Sequence, residues 1–310
     1  MHAPSAGNTG SREPSQLRPV AGRRGLGTLV ALGVVGAFAI AVWVMLSVDG
    51  SLSHRSVAES SDKVTIGHDI ECVRIEVQNG TVGVDVGSER AVAYSVGVGR
   101  AANTAQELAE IEQIPFQLVV VSDPARPRTL ILRGPFLPAG NSGLLRLELG
   151  IRIPAELALE IDVVANGHVT VGHRVGKTFA KTGRGDLRFE HCLGPVKAES
   201  GRGMVIAFDH EGDLDIHTHV GDMQAFVRRP GRVLRLVTGQ GTVQCGVPEN
   251  LEFDLDARAE VGRIGAGFDL TGETIGDYGA ALVAKRGAAS TRVVLRTGSG
   301  HIAFKPKKFD

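Results

Sequence analysis

The chain has 310 residues, enough for one large domain or two ordinary ones. Its 34 lysines and arginines balance 34 aspartates and glutamates, so no excess of positive charge indicates a nucleic-acid-binding protein. Three cysteines are too few for a disulfide-rich scaffold and show no Cys-x-x-Cys spacing for zinc, whereas 41 glycines exceed the usual share.

The N-terminal segment predicts a membrane anchor. Residues 1–24 are rich in Pro, Gly, Ser and Arg and are predicted to form a disordered cytoplasmic tail. The run from Leu26 to Val48 (residues 26–48) carries no charge and would span roughly 35 Å as a helix, so a transmembrane helix is predicted at 25–48. Arginines before the run and Asp49 after it favour a cytoplasmic N terminus and a periplasmic or extracellular C-terminal domain. Cleavage as a signal peptide is the alternative, although the run is longer than the apolar core of a signal.

Residues 49–63 are polar and Ser-rich and are predicted to be a linker, followed by a β-repeat domain at 64–310. The domain begins with "CVRIEVQNGTVGVDV", in which apolar and polar residues alternate on both sides of Asn79-Gly80, a signal for a hairpin-like turn. One helix is predicted next, because Thr104 and Glu107 have the spacing of a capping box.

From residue 160 onward the sequence repeats a glycine-centred unit. The aligned glycines are 18 to 21 residues apart, with a last interval of 38 that is about two periods: Gly167, Gly185, Gly203, Gly221, Gly241, Gly262 and Gly300. Apolar residues recur seven and five positions before the glycine and two and four positions after it, and Thr or Ser often stands three before it. Each unit is therefore predicted to contain two short strands joined by glycine-containing turns.

Units this small must stack to bury their apolar faces, so residues 18 apart should be neighbours about 4.8 Å apart. Two predicted outward columns support this stacking because their charges alternate: Lys197, Asp215 and Arg235 in one, and Lys181, Glu199 and His217 in the other. The predicted fold is all-β: a Gly-rich β-solenoid (β-helix-like) ectodomain with one short helix, preceded by a single N-terminal transmembrane helix. In this register Cys192 and Cys245 belong to units three apart, so no disulfide is expected between them.

The stretch "DLDIHTHVGD" raises the question of a metal site. Asp215, His217 and His219 should project from one face of a strand, and two histidines with a carboxylate suit zinc. Against a metal, the face is flat and Asp215 and His217 have charged neighbours in the columns. The three residues are interpreted as part of a charged ladder, and no catalytic, cofactor-binding or metal-binding residue is assigned.

The stretch "LELGIRIPAELALEIDVVANGHVTV", the Gly-x-Gly repeats and "VVLRTGSGHIAF" together resemble the bacterial putative-adhesin family of β-strand repeat proteins, a domain of unknown function. The resemblance covers roughly residues 64–305. It implies a membrane-tethered or surface β-repeat domain with a binding role, and it supplies no catalytic residues. Thr218-His219 and the segment 262–290 depart from the family pattern.

The function expected from the sequence is that of a non-enzymatic, membrane-anchored extracytoplasmic protein that binds an envelope or surface polysaccharide or protein. The membrane itself would be contacted through residues 26–48, and neither a cofactor nor a nucleic acid is expected. One alternative is an envelope sensor or regulator that signals through its cytoplasmic tail. The other is a polysaccharide-active β-helix enzyme, whose candidate acids would be Asp209, Asp213, Asp215 and Asp222. The sequence contains neither Gly-x-Ser-x-Gly nor His-Glu-x-x-His.

Overall fold

The fold is all-β. The computed structural model describes residues 54–115, 118–138, 143–270 and 279–309. Within these ranges 18 strands join in one hydrogen-bonded sheet, and one α-helix is present. No helix in this part of the chain is long and apolar enough to cross a membrane.

The predicted cytoplasmic tail at 1–24 and the predicted transmembrane helix at 25–48 lie outside the described residues.

The strands are β1 (His54–Thr65), β2 (Cys72–Val86), β3 (Ala91–Ala102), β4 (Val119–Ser122), β5 (Thr129–Arg133), β6 (Leu144–Ile153), β7 (Ala158–Gly172), β8 (Thr178–Arg184), β9 (Leu187–Glu190), β10 (Val196–Arg202), β11 (Val205–Val220), β12 (Met223–Gln240), β13 (Val243–Val247), β14 (Phe253–Val261), β15 (Ile264–Ala266), β16 (Ala280–Arg286), β17 (Thr291–Ser299) and β18 (Ile302–Pro306). The helix α1 (Ala105–Glu112) follows β3.

Most strands pair in parallel and form two ladders. The first ladder holds the strand segments that precede the repeat glycines and runs, in stacking order, β5, β2, β7, β8, β10, β11, β12, β17, β14. The second ladder holds the segments that follow the glycines and runs β6, β2, β7, β9, β11, β12, β13, β18, β15. The strands β2, β7, β11 and β12 contribute a segment to each ladder.

The register of the first ladder confirms both predicted columns. Asp215 pairs with Lys197 on one side and with Arg235 on the other. Glu199 pairs with Lys181 and with His217 in the same way. Residues 18 apart in sequence are therefore direct neighbours across parallel strands.

The predicted apolar positions form one hydrophobic core. Each of the following side chains is at most 3% exposed: Leu187, Phe189, Val196, Ala198, Leu214, Ile216, Leu234, Leu236, Val243, Cys245, Val293, Leu295, Ile302 and Phe304. Burying a Val, Leu, Ile or Phe side chain contributes roughly 1.5–3 kcal/mol. This row-by-row burial explains why a unit of 18 residues is stable only when its neighbours cover it.

The glycine turn, which joins the two segments of a unit, is packed backbone against backbone. Gly203 has a φ of 148°, and a Cβ atom there would lie 2.1 Å from the carbonyl oxygen of Gly185 in the preceding unit. No other residue fits, because the neighbouring carbonyl occupies the space of a side chain. The Thr three positions before the glycine strengthens the turn: Thr238 Oγ1 donates to the carbonyl oxygen of Gly221 at 3.0 Å.

Where aspartate follows a turn glycine, its side chain binds the next unit. Asp186 Oδ1 accepts from the backbone N–H of Met204 at 2.7 Å, and Asp222 Oδ1 accepts from that of Thr242 at the same distance. These bonds satisfy backbone donors at the turn and fix the order of the units.

The last units do not stack in chain order. The strand β17 lies between β12 and β14, so Gly300 packs on Gly241, and Gly262 packs on Gly300. His301 Nδ1 accordingly accepts from the backbone N–H of Arg263, at 3.2 Å. The interpretation of the interval of 38 residues as two successive periods is therefore wrong. The chain turns back instead, because β14 also pairs with β16 in antiparallel orientation.

The predicted hairpin at Asn79-Gly80 is also wrong. Residues 72–86 form one strand, β2, and both of its halves pair in parallel with β7, with Gly80 beside Gly167. Gly80 has a φ of 144°, and a Cβ atom there would lie 1.9 Å from the carbonyl oxygen of Leu147. A positive φ serves a hairpin and this parallel turn equally, so Gly80 belongs to the repeat glycines.

The predicted linker at 49–63 differs from the structure from His54 onward. Residues 54–65 form β1, which pairs along its whole length with β3 in antiparallel orientation. Most of the side chains of β1 from Ser56 onward are exposed or half-buried. The strand is held by backbone hydrogen bonds, so its sequence lacks the apolar alternation of a buried strand.

The predicted helix is confirmed as α1. Thr104 Oγ1 accepts from the backbone N–H of Glu107, and the Glu107 carboxylate accepts from that of Thr104, which completes the capping box. Ile111 is fully buried, and Leu108 packs on the core beside it.

Candidate functional site

The three residues of the possible metal site lie on the outward face of the first ladder. Asp215 is half-buried between Lys197 and Arg235, while His217 and His219 are exposed farther along β11. The structure therefore places all three on one face, as the alternation of the strand predicted.

One ion pair of this face lies within a single strand, β10. Lys197 Nζ is 2.9 Å from Glu199 Oε1. The hydrogen bond from Lys197 lowers the pKa of Glu199, and the charges of Lys181 and His217 act in the same direction. The same bond raises the pKa of Lys197, with a smaller contribution from Asp215. Glu199 is thus held as a carboxylate by its neighbour.

Beside this ion pair is an open hollow of about 460 Å³. It is lined by Lys181, Thr182, Glu199, Ser200, Gly201, His217 and His219. The two hydroxyl groups belong to the turn structure, because Thr182 Oγ1 donates to the carbonyl oxygen of Gly167 at 3.1 Å and Ser200 Oγ donates to that of Gly185 at 3.3 Å. Gly201 has no side chain and contributes only backbone to the lining. We call this site the histidine hollow.

In the part of the chain that the structure describes, no three His, Cys, Asp or Glu side chains form a group that could hold a metal ion. His217 and His219 project toward the hollow as hydrogen-bonding and charge-bearing groups.

Each segment of the second ladder is linked to the next segment of the first ladder by a turn that we call the opposite turn. A row of polar side chains lies at this turn. His173 Nδ1 is 3.2 Å from Asp85 Oδ1, and the His173 and His191 rings stack with centroids 5.2 Å apart. His191 Nδ1 is 2.9 Å from Asp209 Oδ2. Arg228 donates to both oxygens of Asp209, at 2.6 and 2.9 Å.

The sequence contains a spacing that indicates this row, but an alignment of the repeats on their glycines and apolar residues does not show it. His173, His191 and Asp209 are 18 residues apart, and their φ values are 54°, 50° and 54°. Asp and His are among the residues that tolerate this left-handed conformation. Burial has the largest single effect on the pKa of Asp209 and raises it, but Arg228 and His191 together outweigh burial and leave the pKa lowered.

Aromatic rings extend this row. Phe208 contacts His191 edge-on and Phe226 in the same manner. Lys307 Nζ lies over both phenyl rings, 4.9 Å from the centroid of Phe208 and 3.7 Å from that of Phe226. The ammonium group therefore covers these rings.

The residue that follows each left-handed residue of the opposite turn is buried. These residues are again 18 apart: Arg174, Cys192 and His210. The guanidinium of Arg174 donates to backbone carbonyl groups, including those of Pro154 and Leu157. His210 Nε2 is 3.1 Å from the carbonyl oxygen of Asp213. Burial raises the pKa of the Cys192 thiol to about 11, so the thiol stays protonated at neutral pH and is a weak nucleophile.

The three cysteines are free. Cys245 pairs with Ala225, whose row continues through Ala207 to Phe189. Cys192 follows Phe189, so three ladder steps, roughly 14 Å, separate the units of the two cysteines. This spacing is beyond the reach of a disulfide.

Comparisons with known proteins give distant likenesses. No protein-family model matches the chain, and no curated protein matches it. A solved structure from Clostridium sporogenes, described as a putative cell adhesion protein, is 12% identical with a TM-score of 0.33 and covers 82% of this chain and 100% of its own. Another from Bacteroides fragilis, described as a putative adhesin, is 9% identical with a TM-score of 0.35 and covers 81% of this chain and 97% of its own. The chain is thus similar, at low identity, to two proteins with adhesion-related descriptions.

Proposed function

We propose that the chain is a non-enzymatic, membrane-anchored module whose β-solenoid ectodomain binds an envelope or surface polymer outside the cytoplasmic membrane. The observation that carries this proposal is the in-register parallel pairing of the two ladders. Parallel pairing repeats outward side chains about every 4.8 Å along the stack. A polymer with repeating units can contact successive rows in an equivalent way, and many weak contacts then add to a useful affinity.

The solenoid assignment is supported by the spacing of the units. Residues 18 apart pair in both ladders, as between Lys197 and Asp215 in the first and between Val205 and Leu187 in the second. Each unit therefore contributes one segment to each ladder before the chain advances to the next row.

The anchor is supported by the uncharged run at 26–48. Because β1 begins at His54, only residues 49–53 separate this run from the domain, and so short a segment reaches at most about 20 Å. The ectodomain would therefore sit close to the membrane surface, with the N-terminal end of the stack nearest to it.

The non-enzymatic assignment is supported by what the candidate acids do. Asp209 binds His191 and Arg228, and Asp222 accepts from a backbone N–H at the glycine turn. Asp213 Oδ1 accepts from the backbone N–H groups of Arg232 and Val233, at 2.7 and 3.1 Å. These carboxylates stabilise turns on different sides of the stack, whereas glycoside hydrolysis needs two facing carboxyl groups in one groove.

Two measurements on the full-length chain test the proposal. Protease added to intact spheroplasts should digest the β-repeat domain, and complete protection would reverse the topology. In nonionic detergent, the purified protein should bind saturably to at least one of three polymers: polygalacturonate, dextran or peptidoglycan sacculi. Bound polymer should keep its length, and release of soluble reducing ends would show instead that the protein is an enzyme.

A further inference from the structure

The histidine hollow lies where one unit of the repeat carries histidine at a position that is glycine in both adjacent units. Four units have glycine two positions before the turn glycine, at Gly183, Gly201, Gly239 and Gly298, whereas the unit of Gly221 has His219, that of Gly167 has Ala165 and that of Gly262 has Glu260. Histidine at this position contributes nothing to the core, because its side chain is exposed. His219 therefore adds an imidazole to the lining of the hollow.

The groups of the hollow divide into those already bound and those that face solvent. Glu199 is engaged by Lys197 at 2.9 Å, and the two hydroxyl groups donate to turn carbonyls. In the described ranges of the chain, the side chains of Lys181, His217 and His219 form no hydrogen bond or ion pair, although the charges of Lys181 and His217 act on Glu199. One ammonium and two imidazoles, all hydrogen-bond donors when charged, therefore remain for a ligand.

We propose that the histidine hollow binds an anionic group, a carboxylate or a phosphate, of an extended polymer; this proposal rests on the function proposed above. Lys181 supplies an ammonium group to the lining, and Lys197 offsets the negative charge of Glu199. The hollow is open to solvent, so one small anion gains little there. A polymer that continues along neighbouring rows gains further contacts from the same ladder.

Binding should strengthen as the pH falls from 8.0 to 5.5. Histidine as a residue type gains positive charge in this range, and a hollow lined by two histidines then favours an anion. The other titratable groups that face the hollow are Lys181 from β8 and Glu199 from β10. The hydrogen bond from Lys197 keeps Glu199 ionised because it lowers the pKa of that carboxyl. The adjacent strand β12 places Val237, an uncharged residue, beside His217.

The decisive variant copies the next unit of the chain. His217→Val with His219→Gly gives the residues found at Val237 and Gly239, so the repeat itself shows that the fold accepts them. The control variant is His68→Ala, which removes an exposed histidine far from the hollow in sequence. Thermal melts should show both variants folded.

Fluorescence anisotropy with labelled polygalacturonate, inorganic polyphosphate and neutral dextran provides the readout, in nonionic detergent at both pH values. The wild type and His68→Ala should bind polygalacturonate, polyphosphate or both at least about tenfold more tightly at pH 5.5 than at pH 8.0, which corresponds to two weak charge contacts. The double variant should lose both that affinity and its pH dependence. Binding of one anionic polymer and not the other identifies the source of the anion.

The possible results distinguish a failure of the anion-binding proposal from a failure of the proposed polymer-binding function. If the double variant binds like the wild type, or the wild type binds neutral dextran and neither anionic polymer, the hollow is not the site but the binding function stands. If the wild type binds no polymer at all, both fail. If zinc raises the melting temperature of the wild type and not of the double variant, and EDTA reverses it, the histidines form a metal site and the anion proposal is overturned.

Discussion

The glycine turn and the opposite turn close the same repeat unit by contrasting means. In the glycine turn, the α-carbon of Gly203 packs directly against the carbonyl of Gly185, and no side chain fits between them. In the opposite turn, the His191 ring stacks on His173, and Asp209 binds His191. One turn is fixed by excluding side chains and the other by connecting them.

The difference determines where the sequence can vary. The glycine turn demands one residue type, because a carbonyl of the adjacent unit occupies the space of a Cβ atom. The opposite turn demands only residues that accept the left-handed conformation and bind their neighbours, a requirement that His and Asp meet. We therefore expect substitutions in the glycine turn to cost far more than those in the opposite turn.

The largest effect is expected for Gly203→Ala. The new methyl group would lie 2.1 Å from the Gly185 carbonyl oxygen at a φ of 148°, so the free energy of unfolding should fall by about 3 kcal/mol or more. Gly83→Ala is the matched control, because its Cβ atom would meet nothing closer than the Leu149 oxygen at 3.9 Å and should change the stability by less than about 1 kcal/mol. Thermal and urea melts measure both. Equal stabilities of the two variants would contradict this account of the glycine turn.

An intermediate effect is expected for Asp209→Asn in the opposite turn. Asparagine keeps the left-handed backbone but loses the charged bonds to Arg228 and His191, which should cost about 1–2 kcal/mol at pH 7. Because the pKa of Asp209 is lowered in the folded protein, its contribution is present above the unfolded pKa of about 3.9 and is lost as the pH falls through the folded value. The difference between wild type and variant should therefore shrink below about pH 4. A difference that stays constant from pH 7 to pH 3 would show that the charge plays no part.

The smallest effect is expected outside both turns, for Asp215→Lys. This change places three cations in one column with Lys197 and Arg235 as neighbours. Exposed pairs contribute about 0.2–1 kcal/mol each, so the melting temperature should fall slightly at low salt and recover as salt screens the repulsion. A loss that does not depend on ionic strength would mean that Asp215 acts through packing.

The sequence predicted the features that depend on position within a unit. Burial of Phe189 and Leu236 and the pairing of Lys197 with Asp215 followed from a period of two along each strand and a spacing of 18 between strands. The capped helix followed from Thr104 and Glu107, because a capping box is local.

Features that depend on distant partners were missed. The strand β1 is held by backbone bonds to β3, which leave no pattern in its side chains. The strand β17 lies between β12 and β14 because it pairs with a strand edge of each. The spacing of the repeat glycines does not indicate this pairing. The candidate site was predicted in part, since Asp215, His217 and His219 share one face. The hollow beside them was not, because its lining is assembled from residues of three strands, β8, β10 and β11.

The placement of β17 has a consequence for how the chain reaches its folded state during synthesis. The ribosome makes β12 and β14 before β17, yet these two strands meet only through β17. Until residues 291–299 emerge, the edge of β12 and the inner edge of β14 both expose unpaired backbone groups, which are prone to pair with other chains. The late strand then enters between two edges that already exist and closes the gap in one step. Assembly of this end of the stack therefore depends on long-range contacts that form slowly, while the units from β7 to β12 can add one after another as they are made.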